Sequence, residues 1–211
     1  MIIVVGGIKG GSGKTTIATN LAVMRSTCKK VLLVDADEQK SAWDWSQQRE
    51  DYEPDLLKGS FSTVCMSGKA VYSNLQRLKL DYDDIIVDTG GRDTTSQRSA
   101  LCIADKFILP FKPSSIDIWT LGPIKQILNE CVNPLLKVYG LISQADPVGR
   151  DNQDARDILK ELQVMEALEC SIVNRKAYRN AAAEGLAVIE LFPEDKKASQ
   201  EMQNLYDIIY A

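Results

Sequence analysis

"GGIKGGSGKTT" occupies residues 6–16, directly behind the apolar run "MIIVV" and leading into the helix-patterned stretch "KTTIATNLAVMRS". A strand that empties into a glycine-rich turn and re-emerges as a helix is the setting that a phosphate-binding loop requires. The glycines let the backbone wrap so that several N–H groups face phosphate oxygens, and the helix beginning near Lys14 adds its positive dipole end. Lys14 is placed to neutralise β- and γ-phosphates, and the Thr15 hydroxyl to ligate Mg2+. Gly10, Gly11, Ser12, Gly13, Lys14, Thr15 and Thr16 are therefore the expected nucleotide-binding residues. A second lysine, Lys9, stands earlier on the same loop. Read alone, it is either a solvated loop residue or a further phosphate contact.

Short β-branched runs alternate with helical patterns along the rest of the chain. "IIVV" (2–5), "KVLLVD" (30–35), "DIIVD" (84–88), "KFILPF" (106–111) and "KVYGLIS" (137–143) are near-continuous apolar runs, as expected of parallel strands covered on both faces, and "LECSIV" (168–173) reads as a further strand. "GKAVYSNLQRLK", "SIDIWTLGPIKQILNECV", "DNQDARDILKELQ" and "KKASQEMQNLYDIIY" read as helices; Asp151 or Asn152 suits the N-cap of the third. The expected fold is a single α/β domain over residues 1–211, a mainly parallel twisted sheet with helices on both faces.

Composition narrows the chemistry. The chain has no histidine, which excludes histidine-based catalysis. Its formal net charge is −4, so any contact with nucleic acid must come from a local patch. Five scattered cysteines form no CxxC pair, which argues against a zinc site or a disulfide framework, and they read as buried or half-buried thiols. The start lacks a basic targeting region, and no apolar run is long enough to span a bilayer.

Two carboxylate clusters follow the loop in chain order. "VLLVDADEQ" ends a strand in Asp35 and Asp37, and "DDIIVDTGG" ends another in Asp88 followed by Gly90 and Gly91. Carboxylates at strand C-termini face the ligand crevice of an open α/β sheet.

The glycine loop departs from the common spacing G-x-x-x-x-G-K-[ST], because Ile8 stands where the first glycine falls. "KGGSGKTT" instead resembles the deviant Walker A motif, K-G-G-x-G-K-[ST], of the ParA/MinD superfamily. In that family the early lysine reaches across an ATP-bound sandwich dimer to phosphates held by the partner. The resemblance thus implies an ATP-dependent homodimer, with Lys9 serving the neighbour's nucleotide and Lys14 its own. It implies that Asp35 and Asp88 support Mg2+ together with Thr15, and that Asp37 orients or activates the attacking water, so that Lys9, Lys14 and Asp37 are the catalytic residues. The family's D-x-D-P-Q reads D-A-D-E-Q here, with Glu38 in place of proline.

Beyond these motifs, "KSAWDWSQQR" resembles the S-x-x-x-W-x-x-x-R of small plasmid-partition ATPases through Ser41, Trp45 and Arg49, although core packing alone accounts for Trp45. "ILPFKPSSIDIWTLGP" resembles the family's P-x-x-P-S-x-x-D segment and makes Asp117 either a partner for Lys9 or an ordinary N-cap. "VNRKAYRNAAAEGLAVIE" matches R-x-x-Y-x-x-A-x-x-x-G-x-x-V-x-E at Arg175, Tyr178, Ala181, Gly185, Val188 and Glu190. In that family a basic surface of the ATP dimer binds DNA without sequence preference, which implies DNA contacts from Arg175, Lys176 and Arg179. Read without the family, the same cations begin a solvated helix.

The tail has no arginine in its last turns, which argues against a membrane-anchoring helix. The base-reading N-K-x-D motif is absent; "SQAD" (143–146) stands after the late strand, so ATP follows from the resemblance. The family implies slow, partner-stimulated hydrolysis, a centromere-binding or cargo-adaptor protein as partner, and a cytoplasmic, nucleoid-associated location. The cargo is a plasmid or chromosome, or alternatively a protein organelle or conjugation complex. A synthetase or reductase of the same fold is a rival reading, though Cys102 and Cys131 lack the glycine motifs of a cluster site; an ATP-sensing scaffold that does not hydrolyse is another.

Overall fold

The apolar runs become the interior of a seven-stranded, all-parallel sheet in a computed structural model that describes residues 1–52, 57–115, 118–148 and 151–211. The strands are β1 (Ile2–Val5), β2 (Val31–Asp35), β3 (Ser62–Cys65), β4 (Asp84–Asp88), β5 (Lys106–Phe111), β6 (Lys137–Ala145) and β7 (Glu166–Val173), in the order β3-β2-β4-β1-β5-β6-β7. The helices are α1 (Lys14–Ser26), α2 (Ser41–Glu50), α3 (Ala70–Leu78), α4 (Thr95–Leu101), α5 (Ile118–Glu130), α6 (Asp151–Glu161), α7 (Lys176–Ala183) and α8 (Lys196–Tyr210).

Strand side chains alternate between two cores, as the period of two dictates. Ile3, Val5, Leu33 and Ile86 face a layer built from α1, α2, α7 and α8. Ile2, Val4, Leu32, Val34, Ile85 and Val87 face the opposite layer, built from α3, α4, α5 and α6. Helix α1 is buried continuously from Ile17 to Met24 because the sheet, α2 and α8 all pack on it, so its burial is wider than the stripe Ile17, Leu21 and Met24 predicts. The stripe on α8 is core as expected: Met202, Leu205 and Ile209 are fully buried and Ile208 packs against the same cluster.

Strand β1 lies between β4 and β5. The chain leaves β1 toward β2 on one side and later crosses from β4 to β5 on the other. That reversal opens a crevice at the C-terminal end of β1, the place where ligands bind in open α/β sheets.

Three elements escape the apolar pattern. Edge strand β3 is only half covered, and α2 and α4 are short and polar. The cysteines also differ from the reading as buried thiols: all five are free, but Cys28, Cys65 and Cys102 are exposed, and only Cys131 and Cys170 are partly covered. Cys28 lies just past the end of α1, Cys65 ends the edge strand and Cys102 caps α4, all positions outside the two cores. Asn152, rather than capping its own helix, exchanges hydrogen bonds with the backbone of Asp146.

Candidate nucleotide-binding site

The C-terminal ends of β1, β2 and β4 deliver the glycine loop, Asp35–Asp37 and Asp88–Gly91 to one crevice, with Val5 and Asp35 each paired in register with Asp88. The crevice holds a cavity of about 1,030 Å3 whose wall includes Lys14, Thr15, Thr16, Asp37, Gly91 and Gln144. Helix α1 points its first turn at this space. Its N-cap, Gly13, takes a left-handed conformation (φ 89°), and a Cβ there would lie 2.9 Å from the Ser143 hydroxyl. No side chain caps the helix and no acidic residue stands in its first turn, so its positive end is left for an external anion.

The charged groups of the crevice are mostly buried: Lys14, Asp35 and Asp88 are almost wholly covered. The Lys14 ammonium donates to the Lys9 carbonyl at 3.0 Å. Burial lowers its pKa, with Asp88 and Asp37 opposing that shift. Thr15 Oγ1 donates to Asp88 Oδ2 at 2.6 Å. Burial pushes the Asp88 carboxyl up to about 7, the Thr15 hydrogen bond pulling the other way and the negative charge of Asp35 adding to the rise. Asp88 Oδ1 is buried with no hydrogen-bond partner among the described residues. A buried, unsatisfied carboxylate oxygen is costly unless something binds it.

The donor set Thr15 hydroxyl, Asp88 carboxylate and cavity-facing Asp37 is hard oxygen chemistry and fits Mg2+. Asp35 accepts from the backbone N–H groups of Asp37 (3.0 Å) and Trp43 (2.8 Å), which shapes the loop that presents Asp37 and ties it to α2. Burial raises the Asp35 pKa against these backbone donors.

The loop after β4 closes the crevice on its other side. At Gly91 a Cβ would stand 2.7 Å from the backbone of Gly10, so the two loops pack backbone to backbone, and at Gly90 it would meet the Asp37 carboxylate at 2.9 Å. Lys9 is exposed at the rim, bordering a small adjoining cavity that Lys112 also lines. Asp117, the expected partner for Lys9, lies outside the described residues.

Three residues of the site are not among those predicted. Lys112 follows β5, and its ammonium lies 3.5 Å from where a Cβ on Gly11 would be; a lysine at the end of a strand neighbouring β1 was the available signal. Gln97 of α4 is fully buried and accepts from the Gly7 N–H and the Thr89 hydroxyl, both at 2.9 Å, fixing the root of the glycine loop. Gln144 reaches the loop from β6, donating through Nε2 to the Gly11 carbonyl.

The two outlying motifs prove to be halves of one junction. Arg49 and Glu190 form a bidentate ion pair, both bonds 2.7 Å, and are almost wholly buried. Arg49 also donates to the carbonyls of Gly185 and Gly59, while Glu190 accepts from the N–H groups of Lys58 and Ala187. Trp45 is core, stacked on Phe61 at 6.2 Å. Of the three cations around α7, Lys176 and Arg179 are exposed, whereas Arg175 turns onto Glu201 of α8 (2.7 and 2.6 Å) beside the buried Tyr178.

Fold and site together define a phosphate-loop nucleotide-binding protein of the α/β class. The chain belongs to the CobQ/CobB/MinD/ParA nucleotide-binding domain family, whose model matches residues 3–200. Among curated proteins it is similar to the maintenance of carboxysome distribution protein A of Halothiobacillus neapolitanus, 28% identical over 209 residues that cover 96% of this chain and 93% of that protein. The protein of the same name from Gloeobacter kilaueensis is 29% identical over 185 residues, covering 86% and 81%. Among solved structures, apo McdA from Cyanothece superposes with a TM-score of 0.79 at 19% identity, covering 99% of this chain and 98% of that one. A plasmid partition protein from Borrelia burgdorferi bound to AMPPNP superposes with a TM-score of 0.74 at 22% identity, covering 99% and 98%. These superpositions establish the fold. No helix among the described residues is long and apolar enough to cross a membrane.

Proposed function

We propose that this chain is an ATP-driven positioning switch. Two copies close face to face over two molecules of Mg·ATP; the closed dimer binds DNA without sequence preference; an adaptor protein on the cargo stimulates slow hydrolysis to ADP and phosphate, and the dimer opens. The observation that carries this reading is the single loop bearing both Lys9 and Lys14, set at the sheet's reversal point, with Lys14, Thr15 and Asp37 lining one cavity and Thr15 hydrogen-bonded to the buried Asp88. Lys14 and the α1 N-terminus hold the triphosphate, Lys9 reaches the partner's phosphates, and Asp37 orients the attacking water. Thr15 and Asp88 hold Mg2+, with Asp35 keeping the Asp37 loop in place. When bound, the ion supplies charge that offsets the developing negative charge on the phosphate oxygens.

Lys176 and Arg179 are the proposed DNA contacts. Arg175 contributes only when its ion pair with Glu201 is given up. The proposed place of action is the nucleoid surface in the cytoplasm. Relatives named for carboxysome distribution, matched over most of the chain, support a protein body as cargo. A plasmid is the second reading, supported by the likeness to a plasmid partition protein.

The test combines ATP turnover with DNA retention. Random-sequence DNA should be retarded with ATP but not with ADP, the retardation being lost as salt is raised, together with slow release of phosphate. DNA retention indifferent to the nucleotide, or ATP bound and never cleaved in the presence of DNA and the product of the neighbouring reading frame, would remove the switch.

A further inference from the structure

The sequence "SQAD" at the end of β6 lacks the side chains of a base-reading motif, yet its second residue has an unusual backbone. Gln144 is a non-glycine residue at φ 54°, in the left-handed region. The β6–β7 ladder explains the geometry. Ser143 pairs with Ile172 and Ala145 with Val173, so two steps on β6 match one on β7, and Gln144 is the extra residue of a bulge. Bulges beside active sites re-aim a side chain. Here the carboxamide Nε2 lies 2.5 Å from the Gly11 carbonyl, in the middle of the phosphate loop, and Gln144 lines the nucleotide cavity. One residue back, the Ser143 hydroxyl presses on Gly13. Glycine would take this backbone at lower cost, so the side chain itself is what the position uses.

We propose that Gln144 is a positioning residue for the phosphate loop: its amide holds the Gly11 carbonyl aside, and so turns the Ser12 N–H toward the triphosphate. In a planar trans peptide the carbonyl of one residue and the N–H of the next point in opposite directions. Fixing the Gly11 oxygen on Gln144 therefore fixes the Ser12 N–H on the other side. Without that hold, the Gly11–Ser12 peptide is able to rotate, and a carbonyl dipole facing the cavity repels phosphate where an N–H attracts it. The Lys14 ammonium does the same for the Lys9 carbonyl two residues upstream of Gly11. The role concerns the polyphosphate and not the base, and it rests on the nucleotide-binding reading given above.

Gln144→Gly is the informative variant because it keeps the left-handed backbone and removes only the amide; Gln144→Lys restores a donor of similar reach. Affinities of the full chain for ATP, GTP and inorganic tripolyphosphate, measured by displacement of a fluorescent ATP analogue, separate the outcomes. The expected result is a fall of roughly tenfold for all three ligands in Gln144→Gly, recovered to within about threefold in Gln144→Lys, as loss and replacement of one oriented hydrogen bond imply. Unchanged affinities in Gln144→Gly overturn the proposal. A loss confined to ATP also overturns it, since Gln144 would then be reading adenine. Melting of the ligand-free variants guards against a folding defect. A parent protein that binds none of the three ligands refutes the nucleotide reading itself, and is seen before any variant is compared.

Discussion

The nucleotide crevice and the Arg49–Glu190 junction both bury charge, and they treat it in opposite ways. At the junction, two ion-pair bonds are joined by backbone groups that take the other N–H groups of the two terminal guanidinium nitrogens and a further contact on each carboxylate oxygen. In the crevice, Lys14 rests on a backbone carbonyl, and among the described residues one Asp88 oxygen has no partner and no side chain caps the α1 N-terminus. The first arrangement is complete without a ligand and holds α2 to the segment beyond α7. The second is left unfinished, and on the proposed reading polyphosphate and metal complete it. At these two places, a buried charge reads as structural where the protein satisfies it and as functional where it does not.

Substitutions that separate the two regions sharpen this contrast. The largest loss of stability is expected for Arg49→Ala, which strands the buried Glu190 carboxylate and costs about 3–5 kcal/mol in urea unfolding. An apolar pair, Arg49→Met with Glu190→Met, should recover only part of that, because the Gly59 and Gly185 carbonyls and the Lys58 and Ala187 N–H groups lose these partners. A loss under about 1 kcal/mol in Arg49→Ala would make the junction ornamental. Lys14→Ala should do the reverse. Its ligand-free melting temperature should not fall, because a desolvated ammonium is gone, while ATP affinity drops roughly 100-fold in calorimetry, the scale of losing a charged phosphate contact. Asp88→Asn comes next. A carboxyl whose pKa is raised in the fold is bound to its proton more tightly there than in the unfolded chain, so parent stability should decline as pH rises from about 4 to about 7. Measured in EDTA without nucleotide, the Asn variant should show a smaller decline, Asp35 keeping its own contribution, and it should also lose the Mg2+ dependence of ATP binding. The smallest effect belongs to surface charge. Lys176→Glu with Arg179→Glu should leave stability and ATP affinity alone and reduce DNA retention and its salt slope; retained DNA binding would move that surface elsewhere.

The legible part of this molecule was whatever repeats a simple physical period or sits at a strand end. Continuous apolar runs marked the buried strands, and the glycine loop with Asp35, Asp37 and Asp88 marked their C-terminal edge. Helix α2 was not legible as a helix because only Ala42 and Trp45 give it an apolar face, and edge strand β3 has one covered side. Gln97 and Gln144 carry neither charge nor glycine, and their roles arise from a helix and a bulge that bring them to the loop from far along the chain. The inward turn of Arg175 depends on Glu201, which a count of cations does not register.

The proposed loan of a cation between two copies of the chain is read directly by light scattering. One subunit has a mass of 23.4 kDa. With saturating Mg·ATP the parent should move to twice that mass and return to it with ADP, while Lys9→Ala binds ATP and stays at the single-subunit value. A parent that remains at one subunit with ATP bound, or a Lys9→Ala variant that doubles as the parent does, contradicts the shared-cation dimer.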